Sequence, residues 1–508
     1  MITGTNLIGY SDSASGDKQY ATFDPIKNKS NAQTFTEASS EEVDRAVQLA
    51  QEAFLTYRNM PGTKRAAFLR AIADEIMALG DTLVATYCSE TGLPAGRAQG
   101  ERGRTVGQLR MFADLVANDK WRNPTIDTAI PDRAPMPKPD LRQLLIPLGP
   151  VAVFGASNFP LAYSTAGGDT ASALAAGCPV VVKSHPMHAG TGELVGRAIV
   201  KAAQATGMPE GVFSNLNSSG IEVGQQLVQH PCIKAVGFTG SIRGGRALYD
   251  LAAARPEPIP VFAEMGSINP VVITPNALAE RGAEIATTYA GSITLGTGQF
   301  CTNPGLILTT ESRELDRFIT DLGEKTAAIA AQSMLHPHIH EAFDRNASEV
   351  IDEAATNLVA AYQDDLQPNQ ARTAIVSVSG SDFLNNSSLH REVFGPFSMV
   401  VRCANQEQLL AVIAGLEGQL TGTIMAQPED HAGMGSLIET LQDRVGRIIF
   451  NGVPTGVEVC DAMTHGGPYP SSSDSRFTAV GNQSIKRWVR PFSYQNFPDE
   501  LLPDILKP

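Results

Sequence analysis

The sequence predicts an α/β protein with parallel strands buried between helices. Short apolar or β-branched runs alternate with helix-like segments such as 189–205 from residue 151 onward. Strands are expected at 151–154, 179–183, 211–214 and 233–238, and a second alternating region adds 270–273, 306–308, 398–401 and 447–450. Right-handed crossovers place the loops after these strands along one edge, where ligands usually bind.

The region before residue 151 carries helical periodicity. Apolar positions predict helices over 41–57, 64–84 and about 104–118, and Ser39 with Glu42 predicts a capping box at the start of the first. We therefore expect a largely helical N-terminal third before any sheet begins. Residues 141–148 predict an exposed strand, and the aromatic tail beyond residue 481 predicts an arm that packs on another subunit.

Composition limits the class of partner. A chain of 508 residues with 43% hydrophobic residues predicts two or three soluble domains. The formal net charge of -14 disfavours nucleic acid and anionic membrane surfaces, so a small-molecule partner is expected. The six cysteines show neither disulfide nor metal-ligand spacing, and no apolar run is long enough to cross a membrane, so we expect no metal and a cytoplasmic location.

Two side chains suggest acyl chemistry. Residues 298–304 (GQFCTNP) place Cys301 in a glycine-flanked loop without charge, where a thiolate nucleophile competes with the commoner alternative of an inert buried thiol. Glu264 ends an apolar strand just before Gly266. A buried carboxylate there is costly unless it is paired or acts as a base, whereas a solvated strand-end acid is the simple alternative.

The loops after other strands carry weaker signals. Asn158, in FGASNFP at 154–160, follows the first strand and is expected to open a helix; its amide could stabilise an oxyanion or merely cap that helix. Gly240 and Ser241 lie in a glycine-rich turn that could receive a pyrophosphate. Lys183 ends the second strand and would lie near the ribose of a dinucleotide on this edge.

The joint order of Asn158, Lys183, Glu264, Cys301 and Glu392 closely resembles the aldehyde dehydrogenase superfamily over nearly the whole chain. The resemblance implies an aldehyde dehydrogenase-like α/β fold with a Rossmann-type cofactor domain, an α/β catalytic domain and a small β oligomerisation element. The expected boundaries are 1–129 and 151–263 for the first, 264–480 for the second, and 130–150 with 481–508 for the third. A homodimer or homotetramer is expected.

The same resemblance assigns catalytic roles. Cys301 would attack the aldehyde, Asn158 and the Cys301 N–H would stabilise the oxyanion, and Glu264 would assist the thiol and later activate water. This chain reads EMGS around Glu264, where most members carry a second glycine or a leucine–glycine pair. The presence of Glu264 favours hydrolysis of the thioester over transfer to coenzyme A.

The resemblance also implies NADP or NAD as cofactor. The residues expected to bind it are Ser157, Lys183, His185, Gly240, Ser241, Gly245, Glu392 and Phe394. Lys183 would contact the adenosine ribose, Ser241 the pyrophosphate, and Glu392 the nicotinamide ribose. Many NAD-preferring members carry an acid three positions after the lysine, where this chain has Pro186. The missing carboxylate would admit a 2′-phosphate, so NADP is favoured.

Residues 155–174 narrow the range of expected substrates. This segment resembles 2-oxoglutarate semialdehyde (2,5-dioxovalerate) dehydrogenases and a bacterial NADP-dependent fatty aldehyde dehydrogenase. A semialdehyde carboxylate needs a cation, and Arg102, Arg104 or Arg110 is expected to supply it. Each could instead be a surface arginine. Oxidation of medium or long-chain aldehydes is the second possibility, and a catalytically silent binding or structural relative is the third.

Overall fold

The computed structural model describes residues 1–507, so Pro508, the last residue of the expected 481–508 segment, lies outside the described residues. The first part of the chain contains β1 (Asn6–Ile8), β2 (Ser11–Ser13), β3 (Gln19–Asp24), β4 (Lys29–Thr36), α1 (Ser40–Tyr57), α2 (Gly62–Ala78), α3 (Gly80–Thr91), α4 (Ala95–Val116), β5 (Thr125–Asp127) and β6 (Leu141–Pro147). The next part contains β7 (Val151–Phe154), α5 (Gly168–Ala176), β8 (Val180–Lys183), α6 (Ala189–Ala205), β9 (Phe213–Leu216), α7 (Glu222–Gln229), β10 (Ala235–Thr239), α8 (Ile242–Ala253) and β11 (Val261–Glu264).

The C-terminal half follows the same alternation of strands and helices. It contains β12 (Pro270–Ile273), α9 (Pro275–Thr294), β13 (Leu306–Thr310), α10 (Leu315–Ala327), α11 (Pro337–Ile351), β14 (Thr356–Ala361), β15 (Ala374–Ser379), α12 (Gly380–Asn385), β16 (Phe397–Cys403), α13 (Gln406–Gly415), β17 (Gln419–Met425), α14 (Gly435–Gln442), β18 (Val445–Phe450) and β19 (Val489–Gln495). None of the helices described in residues 1–507 combines the length and apolar character needed to cross a membrane.

Two seven-stranded sheets form the centre of the molecule. The first has the order β11-β10-β7-β8-β9-β1-β2, with β7 to β11 parallel and β1 and β2 added antiparallel at one edge. The second has the order β14-β15-β16-β13-β12-β17-β18 and is parallel except for β14. The central strands β7, β8, β12 and β17 are buried on both faces, as expected for continuous β-branched runs covered by helices.

A smaller antiparallel sheet of three strands stands apart from these two, in the order β19-β6-β5. The strand expected at 141–148 is therefore confirmed as β6, which is the central strand of this small sheet. Next to it, Trp488 is completely buried, and its indole N–H donates to Ser172 Oγ at 2.7 Å, which fixes the start of β19 to the first domain.

The N-terminal third contains strands as well as helices, so the expectation of a largely helical region before any sheet is wrong. Strands β1 to β4 precede the first helix, and β1 extends the first large sheet through its pairing with β9. The first helix and its capping box are confirmed, since Ser39 Oγ accepts from Glu42 N at 3.2 Å and Glu42 Oε2 accepts from Ser39 N at 2.8 Å. The single helix expected over 64–84 is two helices, because Gly80 has a φ of +54° between α2 and α3.

Candidate active site

One cleft lies between loops of the two large sheets. Its volume is about 300 Å³, and it is lined by Asn158 after β7, Glu264 at the end of β11, and Cys301 in the loop before β13. Glu392 and Phe394, before β16, lie on the same cleft. The carboxyl ends of strands in the first sheet and the loops that precede strands in the second therefore bring together five of the residues that the sequence singled out.

Cys301 lies beside two groups that can accept or move a proton. His465 Nε2 is 3.7 Å from Cys301 Sγ and 2.9 Å from Glu264 Oε1, and His465 and Glu264 are 1% and 4% exposed. His465 was missed by the sequence analysis, although its glycine-rich surroundings resemble those of Cys301. One ligand atom from each of the three residues falls within 4.8 Å of the others, so the same cluster has the dimensions of a metal site.

The Cys301 thiol is neutral in the resting site. Burial raises the pKa of this thiol well above its usual value, and the neighbouring Glu264 carboxylate raises the pKa further because two negative charges would lie in contact. A nucleophile with this environment needs a base that removes its proton during attack. Glu264 and His465 are within reach to do so.

Asn158 contacts the nucleophile loop. Its side-chain N–H donates to the carbonyl of Gln299 at 3.0 Å. Residues 159–167 form turns and α5 begins only at Gly168, so the expectation that Asn158 opens a helix is wrong and a capping role does not apply. Among residues 1–507 the Cys301 N–H has no hydrogen-bond acceptor, which leaves it free to donate to an oxyanion beside Asn158.

The loop that carries Cys301 is held by two further contacts. Asn269, which has a φ of +49°, donates through its amide to the carbonyls of Cys301 and Asn303, both at 2.9 Å. Gly298 has a φ of +65°, and a Cβ there would lie 2.1 Å from the carbonyl oxygen of Gly395. The nucleophile loop therefore packs directly against the segment that carries Glu392. The sequence analysis did not single out Asn269.

The rest of the cleft has features that fit a dinucleotide. Ser157, Gly240 and Ser241 lie on its wall beside the N-terminus of α8, where helix amides favour a phosphate. Ser241 Oγ itself accepts from Gly244 N at 3.2 Å and so caps α8. Gly245 has a packing role, because a Cβ there would lie 2.6 Å from Met265 Sδ.

Glu392 is a half-buried carboxylate on the wall of the cleft. Burial raises its pKa to about 7, which a hydrogen bond from the Ser267 backbone partly offsets. Gly266 permits this position, since a Cβ on that residue would lie 2.5 Å from Glu392 Oε2. A ribose hydroxyl would satisfy the carboxylate, as expected for a nicotinamide ribose site.

Lys183 and His185 lie at the other end of the cofactor edge, beyond the walls of the cleft. Burial lowers the pKa of Lys183 to about 8. Burial also lowers the pKa of His185, and the adjacent His188 and Lys183 lower it further, so the imidazole is neutral at pH 7. The two imidazoles stack at a centroid distance of 4.9 Å.

Only one of the three expected arginines lies near the nucleophile. Arg104 donates to Tyr163 Oη at 2.9 Å, and the Tyr163 ring is 6.0 Å from the His465 ring. The expectation for the other two is corrected, because Arg102 donates to the carbonyl of Gly80 and Arg110 pairs at the surface with Asp74.

Arg447, which the sequence analysis missed, is a second cation beside the segment that carries His465. It donates to Met463 Sδ at 3.2 Å and to the carbonyl of Gly456 at 3.3 Å. Neither Arg104 nor Arg447 has a carboxylate within 4.0 Å in the part of the chain that the structure describes, and the Nε atom of each is buried without a partner.

A cysteine nucleophile with adjacent bases, beside a cleft that fits a dinucleotide, defines a class of oxidoreductases. The model of the aldehyde dehydrogenase family matches residues 10–490, and the chain belongs to that family. It is accordingly an aldehyde dehydrogenase that uses NAD(P).

Two similar proteins have recorded activities. The chain is 50% identical over 508 residues to alpha-ketoglutaric semialdehyde dehydrogenase 2 of Azospirillum brasilense, covering 100% of this chain and 97% of that protein. It is 47% identical over 474 residues to alpha-ketoglutaric semialdehyde dehydrogenase of Acinetobacter baylyi, covering 93% and 90%.

A solved structure agrees in fold. A betaine aldehyde dehydrogenase variant of Staphylococcus aureus in complex with NAD+ superposes with a TM-score of 0.84 at 18% identity, covering 98% of both chains.

The contact between Gly298 and Gly395 yields a test of how the site is assembled. Gly298→Ala would force a Cβ against the Gly395 carbonyl and strain a left-handed residue, so we expect aldehyde oxidation to fall at least about tenfold while the fold persists. Steady-state kinetics and circular dichroism measure both effects. Gly291→Ala on α9, where a Cβ meets nothing within 4 Å, is the matched control. Full activity in Gly298→Ala would contradict the importance of this contact.

Proposed function

We propose that the protein oxidises 2-oxoglutarate semialdehyde to 2-oxoglutarate through a covalent Cys301 intermediate. The main observation behind this proposal is the contact of the half-buried Cys301 with the buried His465 and Glu264, with two arginines nearby that lack a carboxylate partner. The two relatives at 50% and 47% identity, both alpha-ketoglutaric semialdehyde dehydrogenases, support this substrate.

The residues act in sequence on the aldehyde carbon. Cys301 Sγ attacks the carbonyl and its proton passes to Glu264, directly or through His465, which touches both. Asn158 and the Cys301 N–H donate to the oxygen that gains negative charge. After oxidation of the thiohemiacetal to a thioester, Glu264 releases to solvent the proton that it took from the thiol. It then removes a proton from water, that water attacks the thioester, and the proton passes to the leaving sulfur, which frees the carboxylic acid and the Cys301 thiol.

The cofactor accepts the hydride when it is bound, and this chain's residues orient it. Glu392 would hold the nicotinamide ribose and Phe394 would pack beside the ring, because both lie on the wall that also carries Cys301. Ser157, Gly240 and Ser241 would surround the pyrophosphate, while Lys183, with His185 beside it, would contact the adenosine ribose. We propose that NADP is accepted as well as NAD, since Pro186 offers no charge against a 2′-phosphate.

Substitution of the nucleophile and the base tests the covalent route. Cys301→Ala removes the only proposed nucleophile, so no NAD(P)H formation from aldehyde is expected. Glu264→Gln keeps the size of the side chain but removes the base, and kcat is expected to fall by about 10²–10⁴-fold. Spectrophotometric assays with 2-oxoglutarate semialdehyde measure both. Full NAD(P)H production by Cys301→Ala would instead indicate a catalytically silent thiol and overturn the mechanism.

The raised pKa of Cys301 predicts a pH dependence of its reactivity. A thiol whose pKa lies above its usual value is protonated at neutral pH, and its thiolate fraction grows as the pH rises. The alkylation rate of Cys301 by iodoacetamide, followed by peptide mass spectrometry, is therefore expected to increase steadily from about pH 7 to about pH 9.5. The exposed Cys460 serves as the internal control. A plateau near neutral pH would contradict a protonated resting thiol.

The two arginines near the nucleophile support a charged substrate. Burying a guanidinium without a counter-charge is unfavourable, and neither Arg104 nor Arg447 has an acidic partner among residues 1–507. The carboxylate of 2-oxoglutarate semialdehyde would supply that charge and accept their free N–H groups. We therefore propose that both arginines bind the substrate carboxylate and its adjacent ketone.

Substrate preference tests this assignment. Arg104→Met and Arg447→Met should each lower kcat/KM for 2-oxoglutarate semialdehyde by about 10- to 100-fold, the cost of losing hydrogen bonds to a charged group. Oxidation of pentanal, which has no carboxylate, should change much less. Arg110→Met is the matched control, because this residue shares α4 with Arg104 but pairs with Asp74 at the surface. Equal losses on both aldehydes would contradict carboxylate binding.

A medium or long-chain aldehyde is the second candidate, and one observation favours it. Phe159, Ala162 and Phe300 form an apolar cluster with Tyr163 next to the nucleophile loop. Arg97 covers this cluster, with its guanidinium 4.5 Å and 4.6 Å from the centroids of Phe159 and Phe300. A higher kcat/KM for hexanal than for the semialdehyde would establish this alternative.

We propose a separate role for each of the three domains whose boundaries the sequence predicts. Residues 1–129 and 151–263 would bind the cofactor, 264–480 would form the catalytic domain, and 130–150 with 481–508 would mediate oligomerisation. The small sheet supports the last role, because its strands β6 and β19 belong to these two segments and the edge strand β19 carries the exposed Phe492. The other edge strand, β5, carries the exposed Ile126 and joins this sheet from just outside the expected boundary. A homodimer or homotetramer would follow, and light scattering distinguishes them.

A further inference from the structure

The adenosine end of the cofactor edge includes a segment from the N-terminus of the chain. Lys183 ends β8 and pairs in register with Leu216, the last residue of β9. Just beyond β9, the carbonyl of Asn217 accepts from Ala38 N at 2.9 Å. The segment between β4 and α1 therefore lies at the end of β9, the strand that pairs with the end of β8 at Lys183, where the ribose is expected.

Glu37 is fixed on this segment by Ser219. Its Oε1 atom accepts from Ser219 N at 3.2 Å and also from Ser219 Oγ. Its Oε2 atom has no hydrogen-bond partner in the described residues, and the side chain is half-buried. One oxygen is thus held in place by the β9–α7 loop, and the other is available to a ligand.

The titratable groups at the Lys183 end of this edge offer little positive charge to a phosphate. Burial lowers the pKa of Lys183 to about 8, while the charge of Glu37 favours its protonated form. Burial lowers the pKa of His336 to about 4, and His185 is likewise neutral at pH 7. Of Lys183, His185, His336 and Glu37, only Lys183 therefore carries a positive charge. The negative charge of Glu37 offsets it.

We propose that Glu37 is a specificity-determining residue that shifts cofactor use from NADP toward NAD. Its free oxygen would accept from a ribose hydroxyl and would repel a 2′-phosphate. This inference rests on the proposed binding of the adenosine ribose at Lys183. The NADP preference predicted from Pro186 rests only on the position three residues after Lys183. The carboxylate of Glu37 reaches the same end of the site from a different part of the chain, the segment between β4 and α1.

Glu37→Gln tests the role by removing one charge while keeping the shape. We expect the ratio of kcat/KM for NADP to kcat/KM for NAD to rise about tenfold, the size expected for one unit charge several ångströms from a phosphate dianion at a solvated site. The KM for NAD should rise, because an amide oxygen accepts more weakly from the ribose hydroxyl than a carboxylate does, and the KM for NADP should fall. Glu210→Gln is the matched control, because Glu210 precedes the opposite end of β9. An unchanged ratio in Glu37→Gln would overturn the proposal.

A binding measurement without turnover gives an independent readout. Calorimetry of wild-type enzyme with 2′,5′-ADP and with 5′-AMP, which differ only in the 2′-phosphate, should show weaker binding of the 2′-phosphorylated ligand at low salt, with the difference shrinking in Glu37→Gln. Tighter wild-type binding of 2′,5′-ADP would contradict the proposal even if the variant failed to fold. An enzyme that binds both ligands as expected but oxidises no aldehyde would disprove the proposed function and leave the role of Glu37 intact.

Discussion

The burial of the Cys301 thiol is the constraint on which the rest of the site depends. A buried sulfur in contact with a carboxylate stays protonated, and attack on a carbonyl then requires a base in direct reach. His465 and Glu264 meet that requirement, and Asn269 and Gly298 hold the loop so that they meet it in a fixed geometry. The same close packing brings Glu392 to the cleft, which couples the cofactor wall to the nucleophile.

Most of the fold could be predicted because buried parallel strands have a strong sequence pattern. The runs at 151–154 and 270–273 coincide with β7 and β12, and the helix of 189–205 coincides with α6. The strands before α1 were missed because β1 and β2 have only three residues each and the β3–β4 hairpin is rich in polar residues. Short polar strands acquire their structure from pairing partners far along the chain, which no local pattern reveals.

The site was predicted where chemistry lies in local motifs and missed where it depends on long-range packing. Cys301, Glu264 and Asn158 stand in recognisable loops, whereas His465 reaches Cys301 from a segment 164 residues away. The sequence expects one of the three arginines of α4 to bind the substrate, but local patterns do not choose among them. Positions 102, 104 and 110 lie on different sides of the helix, and Arg104 is the one that contacts Tyr163 near the nucleophile.

Oxidation of the aldehyde carbon to a thioester on Cys301 is the step on which the proposed function depends. In Glu264→Gln, His465 can still take the thiol proton at 3.7 Å, whereas the base for hydrolysis is missing. Intact-protein mass spectrometry of this variant, quenched with acid after mixing with 2-oxoglutarate semialdehyde and NAD, tests that step directly. The account predicts a mass increase of one 2-oxoglutaryl group, located on Cys301 by peptide mapping and absent when NAD is omitted. An enzyme that forms NADH but carries no acyl group on Cys301 at any mixing time would contradict the account.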